Sequence, residues 1–170
     1  YQAILREEMS YARCPAIDPQ AYQLGPALIV HGTEAQKQEH IGRIASGEAR
    51  WCQAFSEPDA GSDLASLKTR AEEDGDEFVI NGQKIWTSNA HNADYIHLLA
   101  RTDPDAPKHR GISYFLFPMS TTGVTVTPIR QMDNGPGFNE VYFDNVRVPP
   151  DSLFGELHRG WDVATPTLDS

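Results

Sequence analysis

The sequence predicts an α+β fold in which helices come first, a compact antiparallel β-barrel fills the middle, and another helix begins near the C-terminal end. Three observations carry this. Helical spacing dominates the first fifty residues, apolar positions alternate strictly in the segments after Glu48, and Gly160-Trp161-Asp162-Val163-Ala164 again reads as a helix start beyond Pro149-Pro150.

The first helical segment centres on Ile4, Leu5 and Met9 and is broken by Pro15 and Pro19. A second runs from about Gly25 to His31 and stops at Gly32. Thr33-Glu34-Ala35-Gln36 then has the capping-box pattern, in which the Thr33 hydroxyl accepts from the first turn and the Gln36 side chain reaches back. In the helix that follows, Ile41, Ile44 and Ala45 share one face, and Gly47 marks its end.

Among the strands, Tyr95, His97 and Leu99 face one way while Ile96, Leu98 and Ala100 face the other. The same alternation recurs in residues 112–117 and 124–129. Asn81-Gly82 between Val79-Ile80 and Gln83-Lys84 is a two-residue hairpin signal. The apolar parity slips from Val141 and Phe143 to Val146 and Val148, which places a bulge or turn at Asp144-Asn145. Two prolines and no apolar period make 102–109 a surface loop.

Bulk properties narrow the function. The 170 residues suffice for one ordinary domain, and 39% hydrophobic content suits a soluble globular protein. No apolar run approaches the roughly 20 residues that span a bilayer, and Arg6, Glu7 and Glu8 near the start do not belong to a signal peptide, so a cytoplasmic protein is expected. A net charge of −10, from 24 acidic against 14 basic residues, excludes broad attraction to nucleic acid or to an anionic membrane. Cys14 and Cys52 are too few for a disulfide framework, and no histidine stands at metal-ligand spacing, so no metal is expected. Gly135-Pro136-Gly137 lacks the third glycine of a dinucleotide motif and reads as a loop. Without a Gly-x-Ser-x-Gly elbow, Ser62 is no nucleophile.

Two segments carry the chemistry. From Cys52 to Asp63 a short apolar strand runs into a turn crowded with Gly, Pro, Ser and Asp, which exposes backbone N–H groups and hydroxyls. At Gln83-Lys84-Ile85-Trp86-Thr87-Ser88-Asn89 a large indole stands two residues before a small hydroxyl. On spacing alone, Ser56 and Ser88 are equally explained as hydroxyls that satisfy turn backbone, and Trp86 as a core ring. Together the segments suit a planar, polar-rimmed cofactor.

The pair resembles the signature of the acyl-CoA dehydrogenases, in which a strand ending in Ser or Thr is followed by Glu-Pro-x-Ala-Gly-Ser-Asp and later by Trp-x-Ser/Thr. The resemblance continues through residues 75–84, 110–113 and 141–149 and covers roughly residues 20 to 165. It implies an enzyme that uses FAD to desaturate an acyl-CoA thioester in fatty acid and lipid metabolism. It implies cofactor contacts from Gln53, Phe55, Ser56, Glu57, Gly61, Ser62, Trp86, Thr87 and Ser88, with Ser62 also touching the CoA part of the substrate. In relatives the neighbourhood of Ser56 meets the pyrimidine side of the flavin, the indole at Trp86 lies against the ring system, and the hydroxyl at Ser88 bonds near N5, which receives the hydride. Asp59 departs from the glycine that relatives often carry.

The resemblance further implies the end of an N-terminal helical domain (1–48), a middle β-barrel domain (49–155) and the start of a C-terminal helical domain (156–170). The base that removes the α-proton is in relatives a glutamate of that last domain, beyond residue 170, so no catalytic residue is assigned and the isolated chain is expected to be inactive. Implied partners are acyl-CoA, an electron-transfer flavoprotein and further copies in a dimer or tetramer. Two alternatives remain: a flavin monooxygenase or oxidase on the same fold, and a non-catalytic relative.

Overall fold

The computed structural model describes residues 2–13 and 19–168. Helix α1 spans Gln2–Tyr11, α2 Pro19–His31 and α3 Glu34–Ser46. The expected break at Pro15 lies outside the described residues. Pro19 does not break a helix but begins α2, where a missing N–H costs nothing. The helix therefore starts well before Gly25, because burial of Leu24, Ala27 and Leu28 overrides the weak propensity of Gly25-Pro26.

The capping box of α3 closes as expected. Gln36 N–H donates to Thr33 Oγ1 at 3.2 Å, Thr33 N–H donates to Gln36 Oε1 at 3.1 Å, and Gly47 ends the helix at φ 70°. Gln36 Nε2 also donates to the carbonyls of Asp151 and Leu153, each at 2.9 Å, so the cap residue fastens the helix to the end of the sheet. The buried stripe of α3 is Gln36, His40 and Ile44, with Ile41 half-buried and Ala45 exposed. Polar residues occupy two of the inward positions, so counting apolar residues put Ala45 on the wrong side.

The strands are β1 (Trp51–Ala54), β2 (Arg70–Asp74), β3 (Glu77–Lys84), β4 (Tyr95–Arg101), β5 (Ile112–Pro118), β6 (Val124–Ile129), β7 (Phe138–Val148) and β8 (Leu153–Phe154), followed by α4 (Gly160–Leu168). They form one sheet in the order β6-β7-β3-β2-β4-β5-β8, with β1 also paired to β4. This corrects the expected antiparallel barrel twice. The path ends at β6 and β8, which do not meet, so the sheet is open; and β1 and β2 run parallel to β4, so it is mixed. Alternation shows which side a residue faces but not the direction of its partner strand, and the long excursion over 55–94 returns the chain parallel to β1.

The sheet still bends over itself. Phe78 of β3 packs edge-on against Phe115 of β5 with centroids 5.1 Å apart, and Phe117 meets Phe143 of β7 at 6.3 Å. β4 is buried on both faces as its alternation predicts: Leu99 joins Leu24, Leu28, Trp51 and Phe55 under the helices, while Ile96, Leu98 and Ala100 join Ile80, Phe115 and Val141 on the other side.

Asn81-Gly82 is not the hairpin turn. Both residues lie inside β3, and the turn is Gly75-Asp76, flanked by the paired Asp74 and Glu77. Gly82 serves a close approach: at φ 145° its backbone passes Thr69 so closely that an added Cβ would lie between 2.6 and 2.9 Å from Thr69 atoms. Beside it the β3–β7 register jumps from Ile80↔Val146 to Gly82↔Phe143, so Asp144 and Asn145 together oppose Asn81. This is the bulge that the parity slip predicts. Asn145 takes φ 49°, and its N–H donates to Asn81 Oδ1 at 2.8 Å.

Gly82→Ala is therefore expected to lose about 3 kcal/mol, from forbidden backbone and collision together, against about 1 kcal/mol for Gly75→Ala, which meets only open space. Urea denaturation of the two variants checks this order.

Candidate functional site

Three backbone segments meet where β1 and β3 end. Ile85 N–H donates to Ser56 O at 2.9 Å, Thr87 N–H to Asn139 O at 3.0 Å, and Asn89 N–H to Gly137 O at 2.8 Å. Asn139 Nδ2 returns a bond to Thr87 O at 2.9 Å. Residues 55–57, 84–89 and 137–139 thus form one ledge, which brings Ser56 beside Trp86, Thr87 and Ser88. Among the described residues, the amide N–H groups of Ser56, Trp86 and Ser88 donate to no acceptor. Thr87 Oγ1 and Asn139 Oδ1 are buried and have no hydrogen-bond partner there either.

Trp86 stands out on this ledge. Its backbone is left-handed, φ 62°, a conformation that costs a bulky L-residue about 1–2 kcal/mol. The indole is nevertheless 56% exposed, touching Phe138 edge-on at 6.0 Å. The hydrogen bonds of Ile85 and Thr87 on either side hold the residue in place, so the strain presents a ring to the surface instead of filling the core.

A buried ion pair lies beneath. Lys84 is fully buried, and its Nζ donates to Phe55 O and to Glu57 Oε1, each at 2.9 Å. Glu57 also accepts from Lys68 N–H at 2.6 Å and from Thr69 N–H at 2.9 Å. Burial pulls the Lys84 ammonium down to about 8 against the opposing pull of Glu57. Burial pushes the Glu57 carboxyl up, but Lys84 and the donated N–H groups outweigh it and hold the carboxyl below its ordinary value.

The other expected site residues are placed variously. The Phe55 ring is in the core, edge-on to His97 and Tyr114 at 5.5 Å each. Gln53 is half-buried in β1, in register with His97. The turn 57–60 closes through two 3.0 Å backbone bonds between Glu57 and Ala60, and leaves Gly61 and Ser62 exposed beyond it, with open space at the Gly61 Cβ position. Asp59 pairs with Lys68 at 3.3 Å, and Asp63 pairs with Lys108. Among the described residues no His, Cys, Asp and Glu groups cluster as for a metal.

Sequence reasoning missed Lys84, Phe138 and Asn139 as parts of the site. A signal existed for two of them, since Lys84 stands in the inward phase of Phe78 and Ile80, and Asn139 in that of Val141 and Phe143. Polar groups in inward positions must be hydrogen-bonded, and here they lace the ledge.

Residues 52–146 match the family described as acyl-CoA dehydrogenase, middle domain. The chain belongs to the acyl-CoA dehydrogenase family. It is 44% identical over 168 residues to the acyl-CoA dehydrogenase FadE34 of Mycobacterium tuberculosis, covering 98% of this chain and 24% of that protein. It is 46% identical over 162 residues to the acyl-CoA dehydrogenase IpdE1 of the same organism, covering 93% and 42%. A solved steroid ACAD, Tcur3481-Tcur3483, superposes with a TM-score of 0.91 at 43% identity, covering 99% of this chain and 44% of that one. The chain therefore spans less than half the length of these relatives.

Lys84→Met strands a buried carboxylate and is expected to destabilise the acyl-CoA dehydrogenase chain by about 3–5 kcal/mol, while adding Glu57→Gln recovers part of that loss. Urea denaturation of both variants measures the difference. The folded Glu57 carboxyl holds its proton less tightly than the unfolded one, so the unfolded state binds more protons between the two pKa values. The stability it contributes is complete above the ordinary value of 4.5 and is lost as pH falls through the lowered folded value. Glu57→Gln should flatten that acid limb.

Proposed function

We propose that this chain is the flavin- and acyl-CoA-binding portion of an FAD-dependent acyl-CoA dehydrogenase that desaturates a thioester at its α,β-carbons. The observation that carries the reading is Trp86, an exposed aromatic ring held in strained backbone beside amides without acceptors. A planar ring system needs an apolar wall and a rim of donors. Trp86 and Phe138 supply the wall; Ser56 N–H, the Ser88 hydroxyl and the unspent Thr87 Oγ1 supply the rim. When bound, FAD supplies the acceptor for the hydride that leaves the β-carbon. Gly61 and Ser62 offer open backbone and a hydroxyl to the CoA portion.

Glu57 is not the base that takes the α-proton. Both its oxygens are committed to Lys84, Lys68 and Thr69, and the lowered pKa makes it a poor proton acceptor. The reading assigns that role to a glutamate beyond residue 170, in a C-terminal helical domain that begins near residue 156. Residues 1–48 then close an N-terminal helical domain, and 49–155 form the binding domain. An electron-transfer flavoprotein is the electron acceptor, and the full-length enzyme is a cytoplasmic homo-oligomer. No helix among the described residues is long and apolar enough to cross a membrane.

Two variants of the full-length protein test the site. Trp86→Gly relieves backbone strain and should leave stability within about 1 kcal/mol of wild type. Its flavin affinity should fall by about 1–3 kcal/mol, read as FAD content after gel filtration. Ser88→Ala should keep its flavin, while the barrier to anaerobic bleaching by acyl-CoA rises by about 0.5–1.5 kcal/mol and bleaching slows. Wild-type FAD content and bleaching in both variants would remove the flavin from this ledge.

A further inference from the structure

The peptide joining Phe55 to Ser56 connects the buried charge to the exposed ledge. Its carbonyl faces inward and accepts from the Lys84 ammonium at 2.9 Å. No cis peptide occurs among the described residues, and in a trans peptide the N–H points opposite to the C=O. The Ser56 N–H therefore points away from Lys84. It has no acceptor among the described residues, and Ser56 is half-exposed. A positive charge on the carbonyl draws electron density from the nitrogen, and hydrogen bonds in such a chain strengthen one another in a low-dielectric surrounding. Ser56 N–H is thus a stronger donor than an ordinary amide, aimed at the ledge.

We propose that Lys84 is a positioning residue that biases a flavin it never touches toward the reduced form, by polarising the Phe55–Ser56 peptide whose N–H faces the ledge. The inference rests on reading this ledge as the flavin site. Taking up two electrons and one proton converts a neutral isoalloxazine into an anion, and a strengthened donor favours the anion over the neutral ring. Glu57 sets the size of the effect. Its carboxylate, 2.9 Å from the ammonium, opposes the pull of burial and keeps Lys84 charged, so removing either partner must act in the same sense.

The test is the two-electron reduction potential of the FAD-loaded full-length protein, titrated anaerobically with dithionite. Lys84→Met is expected to lower the preference for reduced over oxidised flavin about tenfold, which is about 30 mV for a two-electron couple. Glu57→Gln, which removes the group that keeps the buried ammonium charged, should lower that preference as well. The Lys84→Met/Glu57→Gln double variant removes both charges and avoids a stranded ion. It should show the same loss as Lys84→Met, and it carries the test if the single variant does not fold. A purely structural ion pair predicts lower FAD content in both single variants with unchanged potentials. Loaded variants whose preference stays within twofold of wild type overturn the proposal for Lys84 alone, whereas wild-type protein that takes up no FAD overturns the flavin reading and this proposal together.

Discussion

The buried contact between Lys84 and the Phe55–Glu57 segment is the interaction on which the site depends. Taking an ammonium and a carboxylate out of water costs several kcal/mol per ion even after relaxation. Lys84 meets that cost with two acceptors, and Glu57 with three donors, so few of their hydrogen-bonding positions go unused. The four bonds fasten the end of β1, the end of β3 and the start of β2 at one point. A hydrophobic residue at position 84 would fill the space but leave Phe55 O without its donor. The ledge would then lose the tie between the two motif segments.

A second buried polar pair solves the same desolvation problem without charge. His97 Nδ1 lies 2.6 Å from Tyr114 Oη in the core beside Phe55. Burial pushes the His97 imidazole down to about 3 and the Tyr114 phenol far up, so both stay neutral at any ordinary pH. The wall behind Phe55 is consequently rigid and electrostatically quiet. Toward α3 the wall continues as a stack of Trp51 on Tyr95 at 4.9 Å, with His40 edge-on to both. This aromatic layer joins the helices to the parallel pair β1–β4 and fixes where β1 begins.

Much of this was legible in the sequence, and the failures have physical causes. Local signals survived: the Thr33 cap, the Gly47 stop, the two-faced alternation of β4 and the bulge at Asp144-Asn145 each depend on neighbours in the chain. Long-range pairing did not survive, because the alternation of β1 and β4 is the same whether they run parallel or antiparallel. Asn81-Gly82 misled for a related reason. A glycine required by the approach of Thr69, distant in sequence, looks like a glycine required by a turn. In the site, the motif residues Ser56, Trp86, Thr87 and Ser88 were visible, but what holds them was not. Lys84 reads as a surface charge until Glu57 and Phe55 are seen to close over it.

The bulge opposite Asn81 constrains the length of β7 more than its chemistry. Val141 and Phe143 on one side of it, and Val146 and Val148 on the other, face the same core only because Asp144 and Asn145 insert an extra half-period between them. The pair behaves as a frame-shift written into the backbone. Deleting one of the two would leave all four apolar residues on one face of a regular strand, whereas straightening the bulge with both residues kept would turn one half of the strand inside out, exposing valines at one end or burying Arg147 at the other. Substitutions at 144 are therefore the tolerated kind of change, both bulge residues being exposed and neither side chain belonging to the core, and the forbidden kind is a single-residue insertion or deletion elsewhere in β7, which breaks the frame that the bulge corrects.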